Sequence, residues 1–298
     1  MQSCVVKYGV RLRDALNTAI DQLKAAHVGS PRLNAEALLM FTLACDRAYL
    51  YAHPERELSA DEHARYFDTI AQRSQGIPAQ YITGHQEFWG MDLIVSPAVL
   101  IPRPETEHLI ESVLKVLDGR ASSPGEPYRI VDVGTGSGCI ALALAKELPN
   151  AEIHATDISP AALEIARANA ARHQFASRVS FHEFDLLQGF EPASFDLVVS
   201  NPPYVGESEE DQVQLEVRKF EPRSAVFAGP TGLEVISRLI PRAQAILKPG
   251  GWLVFEISGT IAHAVEQLLS GWKNIKITKD LQGIPRVATV QKPGELTN

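Results

Sequence analysis

The chain has 298 residues, 45% hydrophobic and 21% charged, with a formal net charge of −8. This length suits about two domains whose cores need no staples, and unremarkable glycine and proline usage excludes global disorder and collagen-like repeats. The three cysteines (Cys4, Cys45, Cys139) are scattered and form no C-x-x-C, which excludes a disulfide scaffold and a Cys-rich zinc site and points to a reducing compartment; the acidic balance weighs against long nucleic acid as a partner.

Residues 1–12 carry no apolar signal-peptide core, and no uncharged run approaches the ~20 residues of a membrane span. A cytoplasmic chain with no membrane partner is therefore expected. Val10, Leu12, Ala15, Leu16, Ala19, Ile20 and Leu23 recur at helical spacing. Ser30-Pro31, read as a capping hydroxyl and a first-turn proline, leads into a second helix through Leu43. Ser59 and Glu62 have the spacing of a capping box before a third, which ends near Gly76. Residues 1–78 thus read as a helical domain. Tyr81-Ile82, Glu87-Phe88-Trp89 and Leu93-Ile94-Val95 look strand-like and are punctuated by Gly84 and Gly90. Residues 79–100 are accordingly read as a β-hairpin connector, and 101–298 as the catalytic domain.

Pro102-Arg103-Pro104 precedes a helix through Leu109 and Leu117, and 119–127 is polar and turn-rich. Strands are then expected at 130–133, 152–156, 179–182, 197–200, 252–256, 275–278 and 287–291, with helices at 139–148, 160–173 and 233–247. Such alternation predicts an α/β fold with a mostly parallel, Rossmann-like sheet and a ligand site at the carboxyl ends of its strands.

Val131-Asp132-Val133 runs into Gly134-Thr135-Gly136-Ser137-Gly138. Glycines at alternate positions let backbone pass close to a ligand. A dinucleotide fingerprint would need glycine at 139, where Cys139 stands. The spacing resembles the nucleoside loop of S-adenosylmethionine (AdoMet) methyltransferases; a plain strand-to-helix turn is the alternative. Asp157 ends the second strand and suits the two ribose hydroxyls of a nucleoside. It could also cap the helix at Pro160, although Ser159 fills that role better. Asp185 is placed to accept from an adenine amine with Leu186 against the ring, or is a solvated loop acid.

The fourth strand leads into Asn201-Pro202-Pro203-Tyr204. Asn201 and Pro202 each precede proline and are pushed to extended conformations, and two rings fix φ. A stiff segment there aims the Asn201 side-chain oxygen and the Pro202 carbonyl at a planar –NH₂ group, with Tyr204 available to cover its face. The alternative is a simple proline turn leaving the sheet. Two acceptors suit an amide and repel a carboxylate, and no general base is evident. The nine histidines show no metal-ligand spacing. Phe88 and Trp89 read as core, while Arg103 and Glu105 fit structural roles near the pocket as well as functional ones.

Gly76-Ile77-Pro78-Ala79-Gln80-Tyr81-Ile82, Glu87-Phe88, Leu100-Ile101-Pro102-Arg103-Pro104-Glu105-Thr106-Glu107, the glycine loop, Asn201 to Tyr204, Phe220-Glu221-Pro222 and Gly283-Ile284-Pro285-Arg286 together resemble the bacterial peptide chain release factor glutamine methyltransferases (the PrmC/HemK family). The resemblance covers roughly 73–286. It implies a class I AdoMet-dependent fold and methylation of the amide nitrogen (N5) of the glutamine in the Gly-Gly-Gln motif of class I release factors, with S-adenosyl-L-homocysteine as product. It also implies a helical N-terminal domain that grips the protein substrate. Gly134, Thr135, Gly136, Ser137, Gly138, Asp157, Asp185, Leu186 and Asn201 correspond to cofactor contacts. Asn201, Pro202, Pro203 and Tyr204 resemble the glutamine pocket, and Asn201, Pro202 and Tyr204 its catalytic members. Some relatives carry an aromatic where this chain has Leu100 or Leu186. A sister family acting on a ribosomal protein usually has Ser-Pro after Pro-Arg, so Pro104-Glu105-Thr106 favours the release factor enzymes. A DNA or RNA amino-methyltransferase is the other alternative, because nucleobase amines present the same –NH₂.

Overall fold

The computed structural model describes residues 9–118 and 127–294. Cys4, the extreme N-terminus and nearly all of the polar 119–127 stretch lie outside the described residues. The chain divides into two compact units between Gly84 and His85.

The first unit holds α1 (Leu12–Ala25), α2 (Pro31–Leu43), α3 (Arg47–Ala52), α4 (Ala60–Ser74) and α5 (Ala79–Thr83). Leu12, Ala15, Leu16, Ala19, Ile20 and Leu23 form the buried face of α1, as their spacing predicts. They pack with Leu38, Leu39, Tyr66 and Ile70 into one core. The capping box of α4 is complete: Ser59 Oγ accepts from Glu62 N at 3.1 Å and Glu62 carboxylate accepts from Ser59 N at 2.9 Å. Ser30 differs from expectation. Its backbone is left-handed and its hydroxyl caps nothing; Asn34 Nδ2 instead donates to the Gly29 and Ser30 carbonyls. Tyr81 and Ile82 are helical rather than strand-like. Ile82 packs on the first unit's core, so the division falls after Gly84 and not at Pro78.

The second unit opens with the hairpin β1 (His85–Phe88) and β2 (Met91–Ile94). Phe88, Met91 and Leu93 belong to the core beneath the main sheet, so the hairpin is part of this unit. Both residues of its turn, Trp89 and Gly90, have positive φ, as the tight turns that match strand twist require. Trp89 is held there by its Nε1–H on Glu147 at 2.8 Å and by Lys146 Nζ on its carbonyl at 2.9 Å. A 3₁₀ turn (Pro104–Thr106) leads into α6 (Glu107–Leu117).

Alternation then follows: β3 (Arg129–Val133), α7 (Cys139–Glu147), β4 (Glu152–Asp157), α8 (Pro160–Arg172), β5 (Val179–Glu183) and β6 (Phe195–Ser200). After β6 come β7 (Val205–Gly206), α9 (Leu215–Phe220), α10 (Arg223–Val226), β8 (Phe227–Gly229), α11 (Glu234–Ile246), β9 (Leu247–Glu256), α12 (Ala262–Leu268), β10 (Lys273–Lys279) and β11 (Pro285–Gln291). All seven strands expected after Pro127 join one sheet in the order β10-β11-β9-β6-β3-β4-β5. β9, β6, β3, β4 and β5 are parallel neighbours, and β11 and β10 add antiparallel at one edge. This is the Rossmann-like methyltransferase arrangement. Separate apolar cores cover the two faces, which is why β6 and β9 carry the apolar runs Leu197–Val199 and Trp252–Phe255 instead of an alternating pattern. The edge strand β10 carries Lys273, Lys276 and Lys279, all exposed.

Candidate active site

In this topology the carboxyl ends of β3, β4, β6 and β9 gather at one edge of the sheet, where the order of connections reverses. A cleft of about 370 Å³ lies there. Its walls include Gly134, Thr135, Gly136, Ser137, Asp157, Asp185, Leu186, Asn201 and Pro203. Nine of the twelve candidate site residues are thus brought together.

The wall after β3 is made of backbone. Gly134 N and Thr135 N donate to the Thr156 carbonyl at 2.8 and 2.9 Å, pinning the loop to β4. Gly136 has φ +55° with open space where a Cβ would stand, whereas a Cβ at Gly138 (φ +84°) would lie 3.3 Å from Ala166 Cβ on α8. Glycine at 136 therefore keeps the cleft open and at 138 lets two helices approach. Asp157 ties this wall to the next element: its carboxylate accepts from Gly136 N and from Ser159 N, both at 2.9 Å. Ser159 Oγ accepts from Ala162 N at 3.2 Å and caps α8, leaving Asp157 at the cleft. Burial raises the Asp157 pKa, opposed by the backbone N–H groups of Ser159, Gly136 and Ile158.

Asp132 lies beneath the loop. One oxygen accepts from Thr135 Oγ1 at 2.6 Å and from Ala141 N at 3.2 Å. The other oxygen, and Ser137 Oγ, are buried without a hydrogen-bond partner among the described residues. Burial pushes the Asp132 carboxyl up to about 7.

The opposite wall is held by side chains. Asn201 leaves the end of β6 and donates from Nδ2 to Thr106 Oγ1 at 3.1 Å. Thr106 donates to one oxygen of Glu256 at 2.8 Å, and Tyr204 Oη donates to the other at 2.9 Å. Glu256 ends β9 and is 2% exposed. Burial raises its pKa against these two hydrogen bonds, and raises that of Tyr204 as well. Arg103, on the cleft wall, pairs with buried Glu221, whose second oxygen accepts from Ile101 N at 3.2 Å. This pair ties the segment before α6 to the one after α9, a structural role.

Three candidate residues stand outside the cleft lining. Gly138 packs on α8 and Pro202 is buried. Tyr204 braces Glu256 with its hydroxyl and packs its ring on the core instead of covering the cleft. Asp185 does line the cleft, but it is no solvated loop acid: its carboxylate pairs with Arg238 and Arg242, and its carbonyl accepts from Arg242 at 2.9 Å. An acceptor role toward an adenine amine would share that carboxylate with two guanidinium groups.

Sequence reasoning missed Glu256, Thr106 and Arg238 as parts of the site. Glu256 left one signal, an acid closing the apolar run Trp252–Phe255 at the sheet's carboxyl edge.

Comparison with known proteins bears on the family and the fold. Residues 14–84 match the family model described as PrmC N-terminal domain, and 113–219 that of the methyltransferase small domain. A release factor glutamine methyltransferase of Koribacter versatilis is 56% identical over 95% of this chain and 99% of its own length. One from Moorella thermoacetica is 42% identical over 92% of this chain and 96% of its own. Among solved structures, the catalytic domain of hMettl16 in complex with a MAT2A 3′UTR hairpin shares the fold at a TM-score of 0.55 and 16% identity, over 76% of this chain and 84% of that one.

Proposed function

The chain belongs to the release factor glutamine methyltransferase family, and from that premise we propose that it transfers a methyl group from AdoMet to the side-chain amide nitrogen (N5) of the Gly-Gly-Gln glutamine in class I peptide chain release factors. The reaction would act on translation termination in the cytoplasm. The observation that carries the reading is the orientation of Asn201: with Nδ2 donated to Thr106, Oδ1 is left to accept on the wall facing the glycine loop.

The residues present fit AdoMet. The cleft pairs an open glycine loop with Asp157, and beneath the loop lie two unsatisfied buried oxygens, Asp132 Oδ1 and Ser137 Oγ. Gly134 to Ser137 and Asp157 would hold it, Asp157 at the ribose hydroxyls and the loop at the methionyl end, with Leu186 toward the base. When bound, AdoMet supplies a sulfonium-activated methyl, which leaves the protein mainly the task of orienting the nucleophile.

An amide nitrogen is a weak nucleophile because its lone pair is delocalised. Asn201 Oδ1 accepts one N–H of the substrate amide, and the main-chain carbonyl of Pro202, whose ring lies buried outside the cleft lining, is assigned the other, which aims the nitrogen. The same acceptors stabilise the positive charge that develops on it. Pro202 and Pro203 keep them from swinging away. No residue need remove a proton beforehand, since the N-methylated cation is strongly acidic and loses its proton to solvent afterwards. Glutamate would bring negative oxygens against the acceptors and be rejected.

Incubation with labelled AdoMet and a class I release factor, followed by mass spectrometric mapping, tests the proposal. One added methyl on the Gly-Gly-Gln glutamine is expected. Label on a ribosomal protein or on nucleic acid instead would replace the reading; the net charge of −8 weighs against the latter.

A further inference from the structure

We infer that Thr106 and Glu256 form a positioning relay that fixes which way the Asn201 carboxamide faces, and thereby make the pocket select glutamine over glutamate. The inference rests on the glutamine-methylating reading above.

The argument is one of proton direction. Glu256 in its ionised form, which the Thr106 and Tyr204 hydroxyls favour against burial, only accepts hydrogen bonds. Both Glu256 oxygens are occupied by hydroxyl donors, Thr106 at 2.8 Å and Tyr204 at 2.9 Å. The single Thr106 proton is therefore committed, and its oxygen can only accept from Asn201. Of the two ends of that carboxamide, only Nδ2 has a proton to offer, and it lies 3.1 Å away. Oδ1 is left for the cleft. Thr106 and Glu256 are 1% and 2% exposed, so solvent cannot exchange for either partner, and a broken link would strand a buried polar group.

A flipped Asn201 would turn its own –NH₂ toward the substrate. Donor would then face donor when glutamine arrives, while the oxygens of glutamate would find a partner. Asparagine alone does not distinguish these states, because its two ends have nearly the same shape. The distinction comes from a carboxylate two hydrogen bonds away, which is absent from the cleft lining. Tyr204, by occupying the second oxygen, keeps Glu256 from turning away from Thr106.

The test uses the full chain with Thr106→Val, Thr106→Ser and Glu256→Gln. Valine preserves shape and removes the relay, and serine restores the hydroxyl. Expected are a fall in kcat of about 100-fold for Thr106→Val with AdoMet Kd changed less than about threefold, and recovery to within about threefold for Thr106→Ser. The preference for a Gly-Gly-Gln release factor over its Gly-Gly-Glu variant, read as the ratio of binding constants, should narrow at least about tenfold in Thr106→Val and Glu256→Gln. Thr106→Val with unchanged kcat and preference overturns the inference, and so does Thr106→Ser as impaired as Thr106→Val, which would mark a packing role. A separate readout is the NMR signal of the Asn201 side-chain amide, assigned by its loss in Asn201→Asp. It should shift in Thr106→Val and stay in place in Thr106→Ser. If the unsubstituted enzyme leaves Gly-Gly-Gln unmodified, the functional reading fails by itself, and the amide signal still decides the relay: no shift in Thr106→Val sinks it.

Discussion

The two walls of the cleft are built by different means. On the glycine-loop side the groups offered to a ligand are main chain apart from the Asp157 carboxylate, and their order is local: residues 132–141 and 156–159 hydrogen-bond within and between two adjacent strand ends. On the Asn201 side the cleft-lining group is a side chain whose orientation depends on partners at positions 106 and 256. Away from Asp157, a backbone wall tolerates side-chain change as long as its φ angles survive. A side-chain wall fails when any one link is lost. Binding of a common cofactor suits the first construction, and discrimination between two nearly isosteric substrates suits the second.

Substitution can break this contrast. The largest effect is expected for Asn201→Ala: initial rates should fall by about 10²–10³-fold, the range for loss of one positioned hydrogen-bonding group at the reacting centre. Calorimetry should place the AdoMet Kd within tenfold of the parent, and a comparable loss of cofactor affinity would erase the division of labour between the walls. Asp157→Ala should do the reverse, weakening AdoMet by the ~1.5–3 kcal/mol of a charge-assisted hydrogen bond with much less effect on kcat at saturation. An unchanged Kd would remove Asp157 from the ribose.

Asp132 sharpens the comparison through pH. Its carboxyl, raised from 3.8 to about 7 by burial, is favoured protonated in the fold. The folded state therefore holds a proton that the unfolded chain has lost, and stability falls as pH rises from about 4 to about 7, by at most ~1.4 kcal/mol per pH unit. Asp132→Asn cannot ionise, so its melting temperature relative to the parent should climb across that window and level off above it. A difference independent of pH would contradict the assignment. The smallest effect belongs to Ser59→Ala, which removes one arm of the α4 capping box and should cost ~1 kcal/mol in thermal unfolding. AdoMet affinity should be untouched, since the box serves the helical unit.

The contrast also explains what could be read in advance. Alternating apolar runs and helix-opening signals such as Ser59/Glu62 and Ser159-Pro160 are local chemistry, so the seven-stranded sheet and the position of the cleft were legible from residue order. The glycine loop and the Asn-Pro-Pro-Tyr segment were legible for the same reason. Ser30 was misread because a hydroxyl before proline has the composition of a cap, while its left-handed backbone leaves that hydroxyl without a cap hydrogen bond to the first-turn N–H groups. Tyr81-Ile82 was misread because a β-branched, aromatic pair has strand propensity, whereas its packing onto α2 and α4 decides for helix. The Asn201–Thr106–Glu256 links and the arginines on Asp185 were illegible because they join residues remote in the chain, and no local pattern records which acid meets which hydroxyl.

The lysines of β10 bear on how the protein behaves in company. An open sheet ends in a row of unpaired peptide groups, and a second chain could add a strand there and begin a stack. Charges at 273, 276 and 279 along that rim set like against like whenever two copies approach edge to edge. Isoleucine at those three positions would leave each cleft as it is and turn the rim into an adhesive, so that turbidity on standing, rather than lost turnover, would be the symptom.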